Sequence, residues 1–246
     1  MAQLIRLELY KLRTVRAPWV LLGLSQLLII AGVSGLVLSS DTLRTDDAVP
    51  GALAHAGLAS LFTLVLGITA VAGEYRTRTI TDTFLSVPRR SRAVGAKLAA
   101  YAVAAAAFAV VNTVTALVAT KVWWFAKDVP LDLGGADVWR TVAGCAAWNV
   151  AFGVIGVGIG ALVRNLTAAV AAALVWIALV EGIVGQLVGD LARWLPFATG
   201  SALGDLPGRA GDLGPVSQLA AAAALAAYAA AFALLAITTT VRRDVT

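Results

Sequence analysis

Apolar runs of about twenty residues recur six times along the 246-residue sequence, separated by short polar breaks. A helix needs about 20 residues to cross a hydrocarbon core of about 30 Å, so each run is long enough to span a membrane. Backbone groups in lipid must bond within their own segment, and no ten-residue alternation of apolar and polar positions suggests a barrel. The spans are drawn at 17–38, 53–72, 98–120, 142–163, 168–188 and 216–240. Hydrophobic residues make up 60% of the chain and charged residues only 13%, where soluble domains carry about 25% charge. Mean hydropathy is +0.86. The expected fold class is an all-α membrane protein, one transmembrane domain over 1–246. The first run is too long for the h-region of a cleavable signal peptide, and no A-x-A site follows it.

Lysine and arginine in the connections orient such a bundle. With the N-terminus inside, one face collects Arg6, Lys11, Arg13, Arg16, Arg76, Arg78, Arg89, Arg90, Arg92, Lys97, Arg164, Arg242 and Arg243, thirteen of the nineteen basic residues. The other face holds Arg44, Lys121, Lys127, Arg140, Arg193 and Arg209 among nine aspartates: Asp41, Asp46, Asp47, Asp128, Asp132, Asp137, Asp190, Asp205 and Asp212. Both termini are expected in the cytoplasm. The pI near 9.8 follows from this excess beside anionic headgroups, so no nucleic-acid partner is implied.

Residues for catalysis are scarce. The single cysteine, Cys145, lies inside a span, so no intrachain disulfide and no Cys/His metal cluster is expected. The single histidine, His55, stands at the outer mouth of the second span, as an interfacial polar residue or a proton carrier. No G-x-S-x-G, H-E-x-x-H or phosphate-loop pattern occurs, so no catalytic or metal-binding residue is assigned. Gly156, Gly158 and Gly160 look like half a dinucleotide fingerprint, but they lie in an apolar span with no strand before them. Close helix packing through Gly156 and Gly160 is the expectation, with Gly185 and Gly189 offering the same in the fifth span. The alanine-rich last span offers small side chains for the same purpose. Trp123, Trp124 and Phe125 read as an aromatic belt at the outer boundary.

Two polar segments depart from the spans. In residues 1–16, Ile5, Leu9, Leu12 and Val15 share one stripe while Arg6, Lys11 and Arg13 lie off it. That predicts an amphipathic helix in the inner interface, with Pro18 at the bend into the membrane; a basic topology anchor is the plainer alternative. The loop 73–97, "GEYRTRTITDTFLSVPRRSRAVGAK", is longer than a turn between helices requires. Ile80 and Phe84 stand at i and i+4 beside Leu85 and Val87, so a short helix over 76–86 would carry an exposed apolar ridge rimmed by Arg76 and Arg78. Pro88 ends it, and Ser91 is a candidate N-cap for the next helix. Such a helix suits docking into a groove of a soluble partner, or rest on anionic headgroups.

The pattern of Gly73, Glu74, Tyr75, Thr79, Leu85, Pro88, Arg92, Lys97 and Leu98 resembles the first cytoplasmic loop of ABC-2 type transporter permeases. The "GALVRN" close of span four, the "RWLP" segment after span five, the basic N-terminus and the six spans are similar too, so the resemblance covers essentially the whole chain. Arg78 stands where many relatives carry glycine. The resemblance implies a half-permease that pairs with a second copy or a sister chain; usage rich in Ala, Val, Gly and Arg points to a GC-rich bacterium, so a bacterial cell membrane is the expected location. It implies that the loop after span two is a coupling helix seated in a separate cytoplasmic ABC ATPase, which would hold ATP and magnesium; no cofactor is expected in this chain. Arg76, Arg78, Ile80, Phe84 and Leu85 would make that contact. Glu74 would brace the helix with a nearby arginine, or be an ordinary interfacial acid. Spans two and five would line the path, with Phe62, Leu66, Trp176 and Gln186.

Glu181 lies inside span five, where a lipid-facing acid costs up to about 2.5–3.5 kcal/mol, so it should face protein or water. It is either a structural partner of an outer-loop group such as Arg193 or a polar contact on the path. Between spans five and six, 189–215, Leu191, Trp194 and Leu195 suggest a short re-entrant or interfacial helix. The resemblance makes Trp194 and Leu195 an outer cap; a surface loop with one aromatic anchor is the alternative. The expected function is the membrane subunit of an ATP-driven exporter of amphipathic or lipid-like molecules. A proton-coupled carrier using Glu181 and His55, or a non-transporting scaffold that recruits an ATPase, are the alternatives. The lack of paired broken helices counts against the carrier.

Overall fold

The computed structural model describes residues 1–39, 43–87, 89–206 and 216–242. Pro88, Asp41, Arg209, Asp212 and Arg243 lie outside the described residues, as do the side chain of Phe84 and the packing expected at Gly185 and Gly189. The described chain is helical without a strand, and six of its helical stretches are long and apolar enough to cross a membrane.

Helix α1, Ala2–Thr14, ends where Val15 turns to extended backbone, and α2, Arg16–Ser39, begins directly after it. The bend therefore falls at Val15 rather than at Pro18. Pro18 sits in the first turn of α2, where a missing N–H leaves no helical bond unmade. Ile5, Leu9 and Leu12 pack against buried residues of the bundle, while Val15 is exposed. The stripe on α1 is thus partly spent on protein, chiefly on α7.

The second span starts earlier than expected and is jointed: α3 is Ala48–Leu53, α4 is His55–Leu58 and α5 is Ser60–Thr77. Ala54 and Ala59, at the joints, keep right-handed helical dihedrals. Each joint is tightened by an i→i−3 bond, Gly57 N–H to Ala54 O at 2.9 Å and Phe62 N–H to Ala59 O at 3.0 Å. After α6, Ile80–Ser86, comes α7, Arg90–Ala126. At 37 residues it is roughly 55 Å long, well beyond a hydrocarbon core of about 30 Å. Much of the expected loop 73–97 is therefore helix, and Arg89, not Ser91, occupies the N-cap.

Helix α8 is Ala136–Val163. The fifth span is α9, Leu166–Val175, a π-helical turn at Trp176–Val180 and α10, Glu181–Leu187. Spans two and five both depart from regular α-helix, which removes the argument that no paired interruptions exist. After α11, Gly189–Ala192, comes α12, Pro196–Leu203, followed by α13, Gln218–Arg242. Of the helix expected around Leu191, Trp194 and Leu195, only the single turn α11 with Leu191 forms, and a longer helix follows it. Proline is preorganised for the first helical position, so Pro196 starts the helix and Leu195 becomes its N-cap.

The most extensive contact is α5 on α8. A Cβ at Gly67 would strike the carbonyl of Gly153, one at Gly156 the carbonyl of Leu64, and one at Gly160 the carbonyl of Ile68. Only glycine lets these backbones approach so closely, as expected for Gly156 and Gly160. Phe152, Trp148 and Phe197 stack edge to face, with Trp148 and Phe197 centroids 5.2 Å apart. Trp124 is buried among Ile29, Val33 and Leu53 instead of lying in a belt. Helix α7 runs beyond the expected boundary and turns that ring inward, leaving Phe125 exposed. The end of the bundle bearing α1, α6 and the start of α7 is called the basic end here; the opposite end carries α3, α12 and the start of α8.

Candidate functional site: a charged junction at the basic end

Three glutamates occur in the whole sequence, Glu8, Glu74 and Glu181, and two of them meet at the basic end. Glu74, one turn before the end of α5, is 3% exposed, and Lys97 of α7 is 2% exposed. Lys97 Nζ donates to Glu74 Oε1 at 2.7 Å and to Glu8 Oε1 of α1 at 2.8 Å. Lys11, one turn on from Glu8, also pairs with Glu74. Two acids and two bases from three helices thus form a neutral cluster, which offsets the cost of burying charge.

The short helix α6 is tied to the same carboxylate. Thr83 Oγ1 donates to Glu74 Oε2 at 3.3 Å, so Glu74 touches α1, α6 and α7 at once. Arg78 sits between α5 and α6 in the left-handed region at φ 59°. That conformation suits glycine and strains other residues. Arg164, at φ 56°, closes α8 and lays its guanidinium 5.3 Å from the centre of the Tyr75 ring. The "GEY" and "GALVRN" stretches are therefore neighbours in space.

The expected ridge on α6 needs correction. The helix starts at Ile80, so Arg76 belongs to the last turn of α5 and Arg78 to the joint. Ile80 is 4% exposed and points into the protein, because the left-handed turn at Arg78 reverses the chain against α5. Leu85 is 75% exposed, and Arg76 and Arg78 are exposed as well. The bracing partners of Glu74 are lysines and a threonine, not an arginine.

The residues expected along a path do not gather. Leu66 is buried among Val71, Val94 and Val157, and Phe62 packs at the edge of the cluster around Trp124. Trp176 and Gln186 are exposed. Glu181 is 7% exposed and accepts hydrogen bonds from Phe197 N–H at 3.0 Å and Ala198 N–H at 3.1 Å. It caps the N-terminus of α12, where a carboxylate is favoured by both free N–H groups and the helix dipole. Arg193 faces Asp190 instead, at 3.5 Å. Trp194 is partly exposed in the turn before α12. His55 Nδ1 faces the carbonyl oxygens of Gly51 and Ala52 at 3.1 Å, which places a proton on that nitrogen.

No protein-family model matches the chain, and no curated protein matches it. Its functional reading therefore rests on its own geometry.

Sequence reasoning did not single out a second polar chain through the spans. Ser25 and Gln26 of α2 donate to Asn112 Oδ1 of α7 at 3.0 and 2.8 Å, and Asn112 donates to Asn149 of α8 at 3.3 Å. Asn149 donates to the carbonyl of Ala56 at 3.0 Å, and its own carbonyl accepts from Thr63 at 2.7 Å. Amides inside apolar runs were the available signal. Among the described residues, no group of three His, Cys, Asp or Glu side chains is placed to hold a metal ion.

Proposed function

We propose that the chain is the membrane-spanning subunit of an ATP-driven ABC exporter, with the basic end in the cytoplasm of a bacterial cell. Its partners are a separate ABC ATPase, which holds ATP and magnesium, and a second permease half. The observation that carries this reading is α6: a short helix with Leu85 exposed, entered through exposed Arg76 and Arg78, and tied by Thr83 to Glu74. An exposed leucine and exposed arginines suit a groove with an acidic border. Force on α6 passes through Glu74 to α1 and α7 without a flexible intermediary. A scaffold that docks an ATPase without transporting would use the same surface, and substrate-stimulated ATPase activity separates the two.

Affinity purification of the protein from its native membrane in mild detergent tests the reading. Wild type is expected to bring an ABC ATPase, identified by peptide mass, and Leu85→Asp to lose it. Absence of an ATPase where other membrane complexes survive, or its full retention by Leu85→Asp, would overturn the assignment.

A further inference from the structure

Among the described residues of span five, Ala169, Ala173 and Glu181 are the buried ones. The second interval, Ala173 to Glu181, is one residue longer than the roughly seven that two turns of α-helix take. At about 100° per residue, Val180 would continue the face marked by Ala169 and Ala173, and Glu181 would stand about 100° round from it. The π-helical turn at Trp176–Val180 accounts for the difference. Its wider bonding takes up one residue more than an α-helical turn does, so everything beyond it is set back by about 100°. Glu181 is thereby brought onto the buried face, where it accepts from the N–H groups of Phe197 and Ala198.

Little packing fixes the turn. None of its residues is buried, and of the five only Ile177 packs against a core cluster. The dihedrals on either side are ordinary, Val175 at φ −62°, ψ −41° and Glu181 at φ −64°, ψ −35°, so closing the turn to α-helix takes no residue out of the right-handed region. Helix α10 ends at a non-helical joint, Val188 at φ −138°, ψ 70°, and packs chiefly on the segments directly before and after it. A Cβ at Gly182 meets nothing within 4 Å, so α10 has room to turn. We infer that the π turn is a register switch that couples span five to α12. In one state the turn is open and Glu181 caps α12. In the other it closes to α-helix, α10 rotates by about 100°, Val180 takes the place of Glu181 on the buried face, and α12 loses its cap. Loosening of α12 and rotation of α10 are then one event. The inference goes beyond the reading above and needs neither the ATPase partner nor a transported substrate.

The test measures that rotation in the full-length protein in lipid nanodiscs. Spin labels are attached to cysteines introduced at Ile183 of α10 and Leu234 of α13, and in a second pair at Ile183 and Val122 of α7, all exposed positions. The native Cys145 is 1% exposed and buried away from the label. A rotation of about 100° carries a side-chain tip about 5 Å from the helix axis through roughly 8 Å. Double electron–electron resonance should give one main distance per pair in the parent protein. Glu181→Leu should move the population to a second distance, displaced by up to roughly 8 Å. Glu181→Gln, which keeps one acceptor oxygen, should populate both. Deleting Leu179 removes the extra residue and leaves Glu181 on the buried face. That variant should keep the parent distances, keep slow amide hydrogen exchange at Phe197 and Ala198, and no longer shift on Glu181→Leu. Distances unmoved in both pairs by Glu181→Leu and Glu181→Gln, with exchange at Phe197 and Ala198 speeded, would overturn the switch and leave the turn a fixed insertion. Fast exchange at those amides in the deletion variant would overturn the register argument itself. Should Glu181→Leu fail to fold, Glu181→Gln decides; should the Leu179 deletion fail, deletion of Ala178 makes the same correction to the register.

Discussion

Glu74 and Glu181 show how much one carboxylate does when it is buried. Glu74 balances Lys11 and Lys97 while accepting from Thr83 of α6. Removing it leaves Lys97, almost without solvent contact, with only Glu8. Breaking a buried pair from one side costs about 3–5 kcal/mol, whereas removing both partners is often close to neutral. Glu74→Met should therefore lower the apparent melting temperature in detergent clearly, and the double variant Glu74→Met, Lys97→Met should recover most of the loss. Glu8 and Lys11 then remain as a neutral remnant on one face of α1. A double variant no more stable than the single would mean that the charges are solvated and the cluster is incidental. Glu181 makes a different forecast. Hydrogen bonds to charged groups contribute about 1.5–3 kcal/mol. Replacing Glu181 by leucine should speed amide hydrogen exchange at Phe197 and Ala198 by about tenfold to a hundredfold, since each 1.4 kcal/mol is a factor of ten. Unchanged exchange would show that α12 is held by packing on Trp148 alone.

At the scale of elements, the seam between α5 and α8 makes the sharpest forecast, because its glycines meet backbone rather than yielding side chains. Gly67→Ala forces the two helices apart, and overpacking of this kind costs about 1–3 kcal/mol or more. Gly23→Ala and Gly35→Ala on α2 meet nothing within 4 Å, and should instead leave stability unchanged or raise it by about 0.5–1 kcal/mol. Thermal denaturation of the three variants in one detergent separates them. The same contrast explains what the sequence discloses. Run length reveals six spans, and spacing reveals Gly156 and Gly160, because both are local properties. The partner of Lys97 is not local: Glu8 lies 89 residues away, and nothing in either segment names the other. The joints at Ala54 and Ala59 carry no proline or glycine signal of their own, so span two reads as continuous. The outer helix at Pro196–Leu203 is legible in principle from proline at a helix start, whereas the apolar Leu191 and Trp194 point only to the turn α11 before it. On α6 the reading placed Leu85 on an exposed ridge and missed that the turn at Arg78 buries Ile80.

For the whole molecule, the proposed function requires two separable events, docking of an ATPase and transmission of its movement. On that proposal the two fall to different residues. Leu85 is exposed, whereas Glu74 is buried and holds α6 to α1 and α7. A variant at the surface should lose the ATPase; a variant inside the junction should keep the ATPase and lose its response. Glu74→Gln is the conservative choice, since the amide oxygen can still accept from Lys97 while the NH2 that replaces the other oxygen turns to donate to the Thr83 hydroxyl, and the charge is given up. The expected result in proteoliposomes is near-normal recovery of the ATPase with substrate-stimulated hydrolysis reduced by about tenfold or more, as for loss of a charge-assisted contact of about 1.5–3 kcal/mol. Leu85→Asp should give the opposite pattern, hydrolysis lost together with the bound subunit. If Glu74→Gln released the ATPase as fully as Leu85→Asp, the junction would be part of the docking surface's own folding, and the path of force through Glu74 would have to be abandoned.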